Sequence, residues 1–337
     1  MIELAIKQLL NRQNLDDKLA QNALNEIMEG KASAVQIASF ITALSLKGET
    51  ISELVALAKV IKAKADQLSY KDNLFEIVGT GGDGANTFNI STTASFVIAA
   101  SGVKVAKHGN RSVSSLCGSA DCLEALGANI ELSAEQNRKM LDTVGMCFMY
   151  APRYHKSMKY VAPVRKELGF RSVFNLLGPL VNPANANYQL MGVYKAELVE
   201  PMAKVLQQLG IKKGAVVCGY DGLDEISICN KTLICEFDEY SCKTYTFDPK
   251  KFGLNYATKQ EVQGGDKYTN AKITKAILSG EQNAKRDAVI LNAGMGIYLR
   301  SDDLSFAQAL TKATDLIDSG SALAKMQAFI AYSNEVV

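Results

Sequence analysis

The first 70 residues carry apolar side chains at the spacing of α-helices. Four apolar residues of one predicted helix recur at i, i+3, i+4 and i+7: Ile37, Phe40, Ile41 and Leu44. Gly48 follows as a predicted C-terminal cap, and Thr50 with Glu53 forms the capping-box pattern that begins the next helix. Because such helices must bury their apolar faces, we predict a helical domain core, a dimer surface, or both.

From residue 74 onward the pattern changes to short apolar runs that alternate with helical segments. Five runs are typical of buried strands: residues 74–78, 103–106, 146–150, 214–218 and 287–291. Helices are predicted at residues 92–100, at residues 120–126 and after Ser133, where Gln136 completes a capping box. This alternation favours a large α/β domain, residues 71–337, with a mostly parallel central sheet behind a small all-helical domain, residues 1–70.

Two further segments are read less directly from the pattern. Residues 226–228 and 233–237 flank an Asn-Lys turn and predict a hairpin. Residues 240–285 are polar and give no assignment.

Composition excludes several classes of protein. The chain has 337 residues, with 37 Lys and Arg against 35 Asp and Glu, so a net charge of +2 gives no support to nucleic-acid or membrane-surface binding. There is no uninterrupted apolar run of about 18 residues, so we expect no membrane span. Acidic residues near the start argue against a signal peptide, and seven cysteines without a C-x-x-C pair predict reduced thiols and a cytoplasmic protein.

The strongest chemical signal is the glycine-rich loop, residues 79–84, which follows a predicted strand. Its four glycines allow the backbone to approach a ligand with its N–H groups turned inward. Ser91 and Thr92 then open a helix, whose N-terminus attracts anions. The loop therefore predicts a phosphate or diphosphate site, although a tight turn without a ligand would show the same glycines.

A basic loop, residues 107–115, follows the next predicted strand and contains two cations, several hydroxyls and a glycine. The carboxyl ends of neighbouring parallel strands lie side by side, so both loops are expected to face one pocket. A solvated basic loop is the alternative. His108 is either a wall of that pocket or a core histidine.

An acidic turn, residues 221–225, follows a third predicted strand. Adjacent carboxylates on a turn are usually solvated, but opposite two anion-binding loops they fit Mg²⁺ better. We expect no multi-histidine zinc site, because the chain has two histidines, His108 and His155. Arg165, near glycines and prolines, could clamp a carboxylate with its guanidinium group.

Together, these motifs closely resemble the anthranilate phosphoribosyltransferase family over nearly the whole chain. The matching segments are residues 79–92, 107–115, 118–127, 163–183 and 221–227. The resemblance implies a nucleoside phosphorylase/phosphoribosyltransferase-like fold, in which a mid-chain segment near residues 165–185 joins the helical domain. It also implies a homodimer through the N-terminal helices and an active site in the cleft between the domains. Leu116 and Cys117 depart from the more polar pair expected there.

The resemblance also implies site residues. Phosphoribosyl pyrophosphate would contact Gly79, Gly82, Asp83, Thr87, Asn89, Ile90, Ser91, Thr92, Lys107, His108, Gly109, Asn110, Arg111, Ser112, Val113, Ser114, Ser115 and Ser119. Anthranilate would contact Gly79, His108, Asn110 and Arg165. Two Mg²⁺ ions per subunit are implied, one held by Ser91 and Glu225 and the other by Asp224 and Glu225. Catalytic roles fall to Arg165, Lys107, Asp224 and Glu225.

The implied activity transfers the phosphoribosyl group of phosphoribosyl pyrophosphate to the amine of anthranilate, in tryptophan biosynthesis. A pyrimidine nucleoside phosphorylase is one alternative, but it should carry a different glycine loop. A non-catalytic nucleic-acid-binding relative is another, and it should have lost the phosphate and metal residues and gained a basic face.

Overall fold

The computed structural model describes residues 1–112 and 116–336. It begins with four helices: α1 (Ile2–Leu10), α2 (Asp17–Met28), α3 (Ala34–Lys47) and α4 (Ile51–Ala63). The predicted caps are confirmed, because Gly48 donates its N–H to the Leu44 carbonyl and the Thr50 and Glu53 side chains form a reciprocal capping box. The prediction that this region is helical is therefore confirmed.

The rest of the described chain builds a seven-stranded sheet in the order β3-β2-β1-β4-β5-β6-β7. The strands are β1 (Phe75–Gly79), β2 (Val105–Gly109), β3 (Met146–Tyr150), β4 (Tyr188–Gly192), β5 (Lys213–Gly219), β6 (Thr232–Asp238) and β7 (Cys242–Phe247). The first five strands pair in parallel, whereas β6 and β7 add an antiparallel edge. The predicted α/β class with a mostly parallel sheet is confirmed.

Helices cover both faces of this sheet. They are α5 (Ile90–Ala100), α6 (Ser119–Leu126), α7 (Ala134–Thr143), α8 (Ala151–Tyr154), α9 (Ala162–Leu168), α10 (Val173–Leu177), α11 (Val199–Gln208), α12 (Lys267–Leu278), α13 (Ala284–Arg300), α14 (Phe306–Asp318) and α15 (Ser321–Glu335). Short 3₁₀ turns occur at Lys156–Tyr160, Gly178–Leu180, Ala196–Leu198 and Pro249–Phe252. Over the described residues, none of the helices has the length and apolar character needed to cross a membrane.

Two apolar cores lie on opposite faces of the sheet, as the alternation of strand side chains requires. In β5, Val217 belongs to the core beneath α5, α13, α14 and α15, while its neighbour Val216 belongs to the other core. That second core joins the N-terminal helices to α9, α10 and α11. The sheet therefore holds its strand ends rigidly between two packed layers.

Two predicted elements are wrong. Residues 287–291 lie inside α13, a helix that is buried on nearly every side, and a short apolar run cannot distinguish such a helix from a strand. Residues 226–228 form no strand, and β6 pairs instead with β5 and β7. The unassigned stretch 240–285 contains β7 and α12.

Candidate active site at the carboxyl ends of the parallel strands

The order of the sheet reverses between β1 and β4, and α/β sheets bind ligands where the strand order reverses in this way. The glycine-rich loop leaves β1 there, the basic loop leaves β2, and the acidic turn leaves β5. If the three segments converge as predicted, their residues must contact one another.

Asp224 joins the acidic turn to the glycine-rich loop. The Gly81 N–H donates a 2.7 Å hydrogen bond to Asp224 Oδ2. A Cβ on Gly79 would overlap this same oxygen, and a Cβ on Gly192 would overlap the Asp224 carbonyl oxygen. Asp224 can therefore pack against the ends of both β1 and β4 because each strand ends in a glycine.

Ser91, Lys107 and Glu225 bring the remaining segments together. The Ser91 N–H, in the first turn of α5, donates a 3.1 Å hydrogen bond to Glu225 Oε1. Lys107 Nζ donates to Ser91 Oγ at 3.2 Å and to the Ile77 carbonyl at 2.7 Å. The predicted metal ligands and the predicted catalytic lysine thus lie in one cluster.

The acidic and basic groups of this cluster have shifted pKa values. Burial raises the pKa of the Asp224 carboxyl, and the nearby charge of Asp83 raises it further. Burial also raises the pKa of Glu225, and the Asp224 charge adds to that shift. Burial lowers the pKa of Lys107, which the Glu225 and Glu76 carboxylates oppose. Crowded carboxylates of this kind are stabilised by a cation placed between them.

The donor set fits magnesium. Oxygen atoms of a hydroxyl and two carboxylates, from Ser91, Asp224 and Glu225, are hard ligands of the kind that Mg²⁺ prefers. Among the residues the structure describes, no group of three or more His, Cys, Asp and Glu side chains is arranged to hold a metal by itself. Mg²⁺ typically binds one or two carboxylates and completes its shell with water and substrate phosphates.

The residues that connect the glycine-rich loop to α5 are held by contacts with distant parts of the chain. Thr87 forms an isolated antiparallel bridge with Gln263, and Asn89 Nδ2 donates to the Cys117 carbonyl at 3.2 Å. Ile90 is 2% exposed, and its N–H already donates to the Phe88 carbonyl at 2.8 Å. Thr92 is also buried, and its Oγ1 atom has no hydrogen-bond partner within the described chain.

The basic loop folds back onto α6. The Asn110 carbonyl accepts from the Ala120 N–H at 3.2 Å and from Ser119 Oγ at 3.3 Å. The Ser112 N–H donates to Asp121 Oδ2 at 3.0 Å. A Cβ on Gly109 would overlap Ser119 Oγ, so this turn also requires close backbone approach. The predicted ligands Val113, Ser114 and Ser115 lie outside the described residues.

Arg111 is turned toward α6. Its guanidinium group donates to Glu124 Oε1 at 2.7 Å, and its Nε atom donates to the Tyr150 hydroxyl at 3.1 Å. Acidic side chains of α6 therefore already satisfy this cation. The Arg111 N–H is also engaged, because it donates to Asn110 Oδ1 at 2.7 Å.

Arg165 lies on α9, across from the strand ends. Its guanidinium carbon is 5.4 Å from the centroid of the Phe174 ring, and burial lowers its pKa. No carboxylate of the described residues forms an ion pair with it. A partly buried cation without a counter-ion is suited to an anionic ligand.

His108 is buried, with 6% of its surface exposed, and its ring centroid lies 4.9 Å from that of His155. Burial lowers the pKa of His108, and the charge of Lys107 is among the further causes. The imidazole is therefore neutral near pH 7, and its Nε2 atom has no protein partner in the described part of the chain.

Comparison with known proteins decides the family. A sequence model of the "Glycosyl transferase family, a/b domain" matches residues 71–323, and one of the "Glycosyl transferase family, helical bundle domain" matches residues 4–65. The anthranilate phosphoribosyltransferase of Ruminiclostridium cellulolyticum is 52% identical over 335 residues, which cover 99% of this chain and 98% of that protein. This chain belongs to the anthranilate phosphoribosyltransferase family.

Solved structures of family members agree. The enzyme of Thermus thermophilus superposes with a TM-score of 0.92 at 38% identity, covering 98% of this chain and 99% of that one. The Saccharomyces cerevisiae enzyme, in complex with PRPP and Mg, superposes with a TM-score of 0.91 at 29% identity, covering 99% of this chain and 98% of that one.

Two residues beside this family member's site were missed by the sequence patterns. Glu76 is fully buried in β1, where its Oε1 atom accepts the His108 N–H at 3.2 Å and burial raises its pKa to about 7. Arg171 places its Nε atom 3.4 Å from where a Cβ of Gly82 would lie. Glu76 could have been identified from the sequence, because it is an acidic residue within the apolar run 74–78. Arg171 is a single arginine between two helices, and no sequence pattern distinguishes it.

Proposed function

We propose that this chain transfers the phosphoribosyl group of phosphoribosyl pyrophosphate to the amine of anthranilate. The products are N-(5-phosphoribosyl)anthranilate and pyrophosphate, and the reaction is a step of tryptophan biosynthesis. One observation carries the proposal: hydrogen bonds join Asp224 and Glu225 of the acidic turn to Gly81, Ser91 and Lys107 in one cluster. Full-length relatives named for this reaction support it.

The diphosphate of the substrate fits the side of the cluster formed by β1 and β2. Glycine-rich backbone, the first turn of α5 and the Lys107 ammonium group supply hydrogen-bond donors and positive charge there. Ser91, Asp224 and Glu225 would hold Mg²⁺, and the proposal includes two ions per subunit. When bound, the metal supplies positive charge that offsets the negative charge growing on the leaving diphosphate. The solved Saccharomyces cerevisiae complex with PRPP and Mg supports this use of magnesium.

Anthranilate fits the opposite side, toward α9. Arg165 would bind its carboxylate, with Gly79, His108 and Asn110 lining the approach. An aromatic amine is nucleophilic in its neutral form, so the protein has chiefly to orient it toward the anomeric carbon. Attack opposite the departing diphosphate inverts that carbon. A Saccharomyces cerevisiae family member in complex with 4-fluoroanthranilate supports an aromatic acid as the second substrate.

The helical domain, residues 1–70 with a contribution near residues 165–185, remains part of the proposal. Its support is packing: α9 and α10 contact α3, and α10 also contacts α4. Four apolar residues of α1 and α3 are exposed: Leu4, Leu10, Val35 and Leu46. We propose that they form a homodimer surface, because exposed apolar side chains on neighbouring helices favour burial against a second copy. The cytoplasmic location stays a prediction.

The test follows the loss of anthranilate fluorescence after phosphoribosyl pyrophosphate is added, with Mg²⁺ in one arm and a chelator in the other. The proposal predicts a loss that requires Mg²⁺ and releases one pyrophosphate per anthranilate consumed. A parallel arm offers uridine or thymidine with inorganic phosphate. Release of the free base in that arm, with anthranilate unchanged in the first, would overturn the proposal in favour of a nucleoside phosphorylase.

A further inference from the structure

Residues 86–89, which follow the glycine-rich loop, are supported by a segment that is distant in sequence. Residues 262–270 are here called the bracing segment, and its first three residues, 262–264, pair antiparallel with residues 86–88. The Phe88 N–H donates to the Val262 carbonyl at 3.3 Å, and the Gly264 N–H donates to the Asn86 carbonyl at 2.9 Å. The bracing segment lies within the stretch for which the sequence pattern gave no assignment, and its contacts place it against the proposed substrate site.

Asn270, in the first turn of α12, is the buried end of this segment, with 1% of its surface exposed. Its Oδ1 atom accepts the Gly265 N–H at 2.8 Å, and its Nδ2 atom donates to Asn89 Oδ1 at 2.9 Å. Because the acceptor and the donor ends are both engaged, the carboxamide has one orientation. It presents a donor, and not an acceptor, to Asn89.

Asn89 is fixed in turn. It stands at the N-cap of α5, where an asparagine side chain normally accepts an N–H of its own helix, but here it makes no such bond. Its Oδ1 atom accepts instead from Asn270 and from the Cys117 thiol, the latter at 3.3 Å. Its Nδ2 atom donates to the Cys117 carbonyl. The Asn89 carboxamide therefore ties the residues that follow the glycine-rich loop to Cys117, just beyond the basic loop, and does not cap its own helix.

The bracing segment allows no bulk where it meets this amide. A Cβ on Gly264 would lie 2.7 Å from the Phe88 nitrogen and 2.7 Å from Asn270 Oδ1, distances that carbon atoms do not adopt without displacement. Glycine at this position lets the two backbones lie in contact. A Cβ on Gly265 would likewise lie 2.8 Å from Thr269 Cγ2, so residue 265 is confined in the same way.

We propose that Asn270 is a positioning residue for phosphoribosyl pyrophosphate and acts through Asn89. It donates to Asn89 Oδ1, and Asn89 bonds Cys117, so the chain that follows the glycine-rich loop and the chain that follows the basic loop are held in fixed relative positions. Both loops need that relative placement to meet one substrate. The inference rests on the proposed function. The positioning role depends on one hydrogen-bond donor, Asn270 Nδ2. An acceptor at the same position would face Asn89 Oδ1 and repel it.

The decisive variant is Asn270→Asp, which keeps an acceptor for the Gly265 N–H but replaces the donor to Asn89. We expect KM for phosphoribosyl pyrophosphate to rise roughly tenfold, the effect of losing one buried hydrogen bond, with kcat and KM for anthranilate changed much less. Thr274→Val is the matched control, because Thr274 lies on the same helix and bonds Thr93 Oγ1 at 3.0 Å without touching the Asn89 carboxamide. Thr93 Oγ1 keeps its own bond to the Asn89 backbone carbonyl in this variant. It should lower the melting temperature and leave KM for phosphoribosyl pyrophosphate unchanged.

A double-mutant cycle tests the route through Asn89. Asn270→Ala added to Asn89→Ala should raise KM for phosphoribosyl pyrophosphate no further than Asn89→Ala alone. Additive effects of the two changes, or an equal effect of Thr274→Val, would overturn the proposal.

Amide hydrogen exchange provides a readout that does not depend on turnover. In the substrate-free protein, Asn270→Asp should speed exchange at residues 86–89 roughly tenfold relative to Thr274→Val. If the wild-type protein transferred no phosphoribosyl group while this difference was present, the proposed function would fail and the bracing contact would stand. Equal exchange in the two variants would contradict the positioning role itself.

Discussion

Lys107 Nζ donates a 3.2 Å hydrogen bond to Ser91 Oγ and so joins β2 to the first turn of α5. The lysine is 2% exposed, and its second bond, to the Ile77 carbonyl, fixes the ammonium group at the edge between β1 and β2. A buried cation beside a helix N-terminus is a strong site for an anion. The residues around this pair are therefore the first to test by mutation.

Arg165→Ala is expected to raise KM for anthranilate by roughly 10- to 100-fold, because a hydrogen bond to a charged group contributes about 1.5–3 kcal/mol. KM for phosphoribosyl pyrophosphate should change little. Steady-state kinetics with each substrate varied in turn would measure both constants. Lys166→Ala, which removes the exposed cation next along α9, is the control, and equal KM values in the two variants would exclude Arg165 from the anthranilate site.

Glu225→Gln is expected to lower Mg²⁺-dependent turnover by roughly a thousandfold, since metal stabilisation of transition-state charge amounts to several kcal/mol. The change keeps the shape of the side chain and removes one negative charge from the cluster. Turnover measured across a Mg²⁺ titration would show the loss. The matched variant Asp303→Asn alters an exposed carboxylate and should titrate as the wild type does; normal Mg²⁺ dependence in Glu225→Gln would refute the metal assignment.

Gly79→Ala is expected to lower kcat/KM by roughly 100-fold, the effect of displacing a catalytic group by about 1 Å. The added Cβ would overlap Asp224 Oδ2 and push this carboxylate away from the Gly81 N–H. Gly178→Ala serves as the comparison, because no heavy atom lies within 4 Å of a Cβ there and φ is −48°. Activity in Gly79→Ala equal to that of Gly178→Ala would contradict the close approach.

Local signals made most of the site predictable from sequence. The glycine-rich loop and Asp224 follow strands, Lys107 lies near the end of β2, and Ser91 opens the helix after β1. The rule that parallel strand ends share one edge was enough to place these residues together. Asn270 could not be found this way, because its partner Asn89 is 181 residues away and nothing local distinguishes it. Residues 287–291 failed for another reason: burial on all sides removes the periodicity that separates a helix from a strand.

Glu76→Gln tests the buried carboxyl by pH. Burial raises the pKa of Glu76 from 4.5 to about 7, so the native state binds this proton more tightly than the unfolded chain does. The resulting stability is present below pH 4.5 and is lost as pH rises through 7. Relative to wild type, Glu76→Gln should therefore gain about 2–3 kcal/mol in free energy of unfolding between pH 5 and pH 8.

Urea unfolding of wild type and variant at the two pH values would measure that gain. Glu131→Gln, at an exposed position, should show no such pH-dependent difference. An effect of Glu76→Gln that was the same at both pH values would contradict a raised pKa for Glu76.

Leu46→Glu combined with Val35→Glu is expected to convert the proposed homodimer to a protomer of 36.4 kDa. The two side chains are 77% and 75% exposed on α3, and a charge at each would remain unpaired in an apolar interface. Light scattering after size-exclusion chromatography would give the masses. Tyr240→Glu, at a 93% exposed position in the turn between β6 and β7, should leave the mass unchanged; a dimer that persists in the double variant would exclude this surface.

We propose that three strand ends converge on one metal-bridged diphosphate. Crystals of the protein grown with phosphoribosyl pyrophosphate, with Mn²⁺ in place of Mg²⁺, test it most directly through anomalous scattering. We expect manganese peaks beside Asp224 and Glu225, and a diphosphate that contacts the metal, the glycine-rich loop and Lys107. Manganese bound on another face of the molecule, or a diphosphate that touches none of these groups, would contradict it.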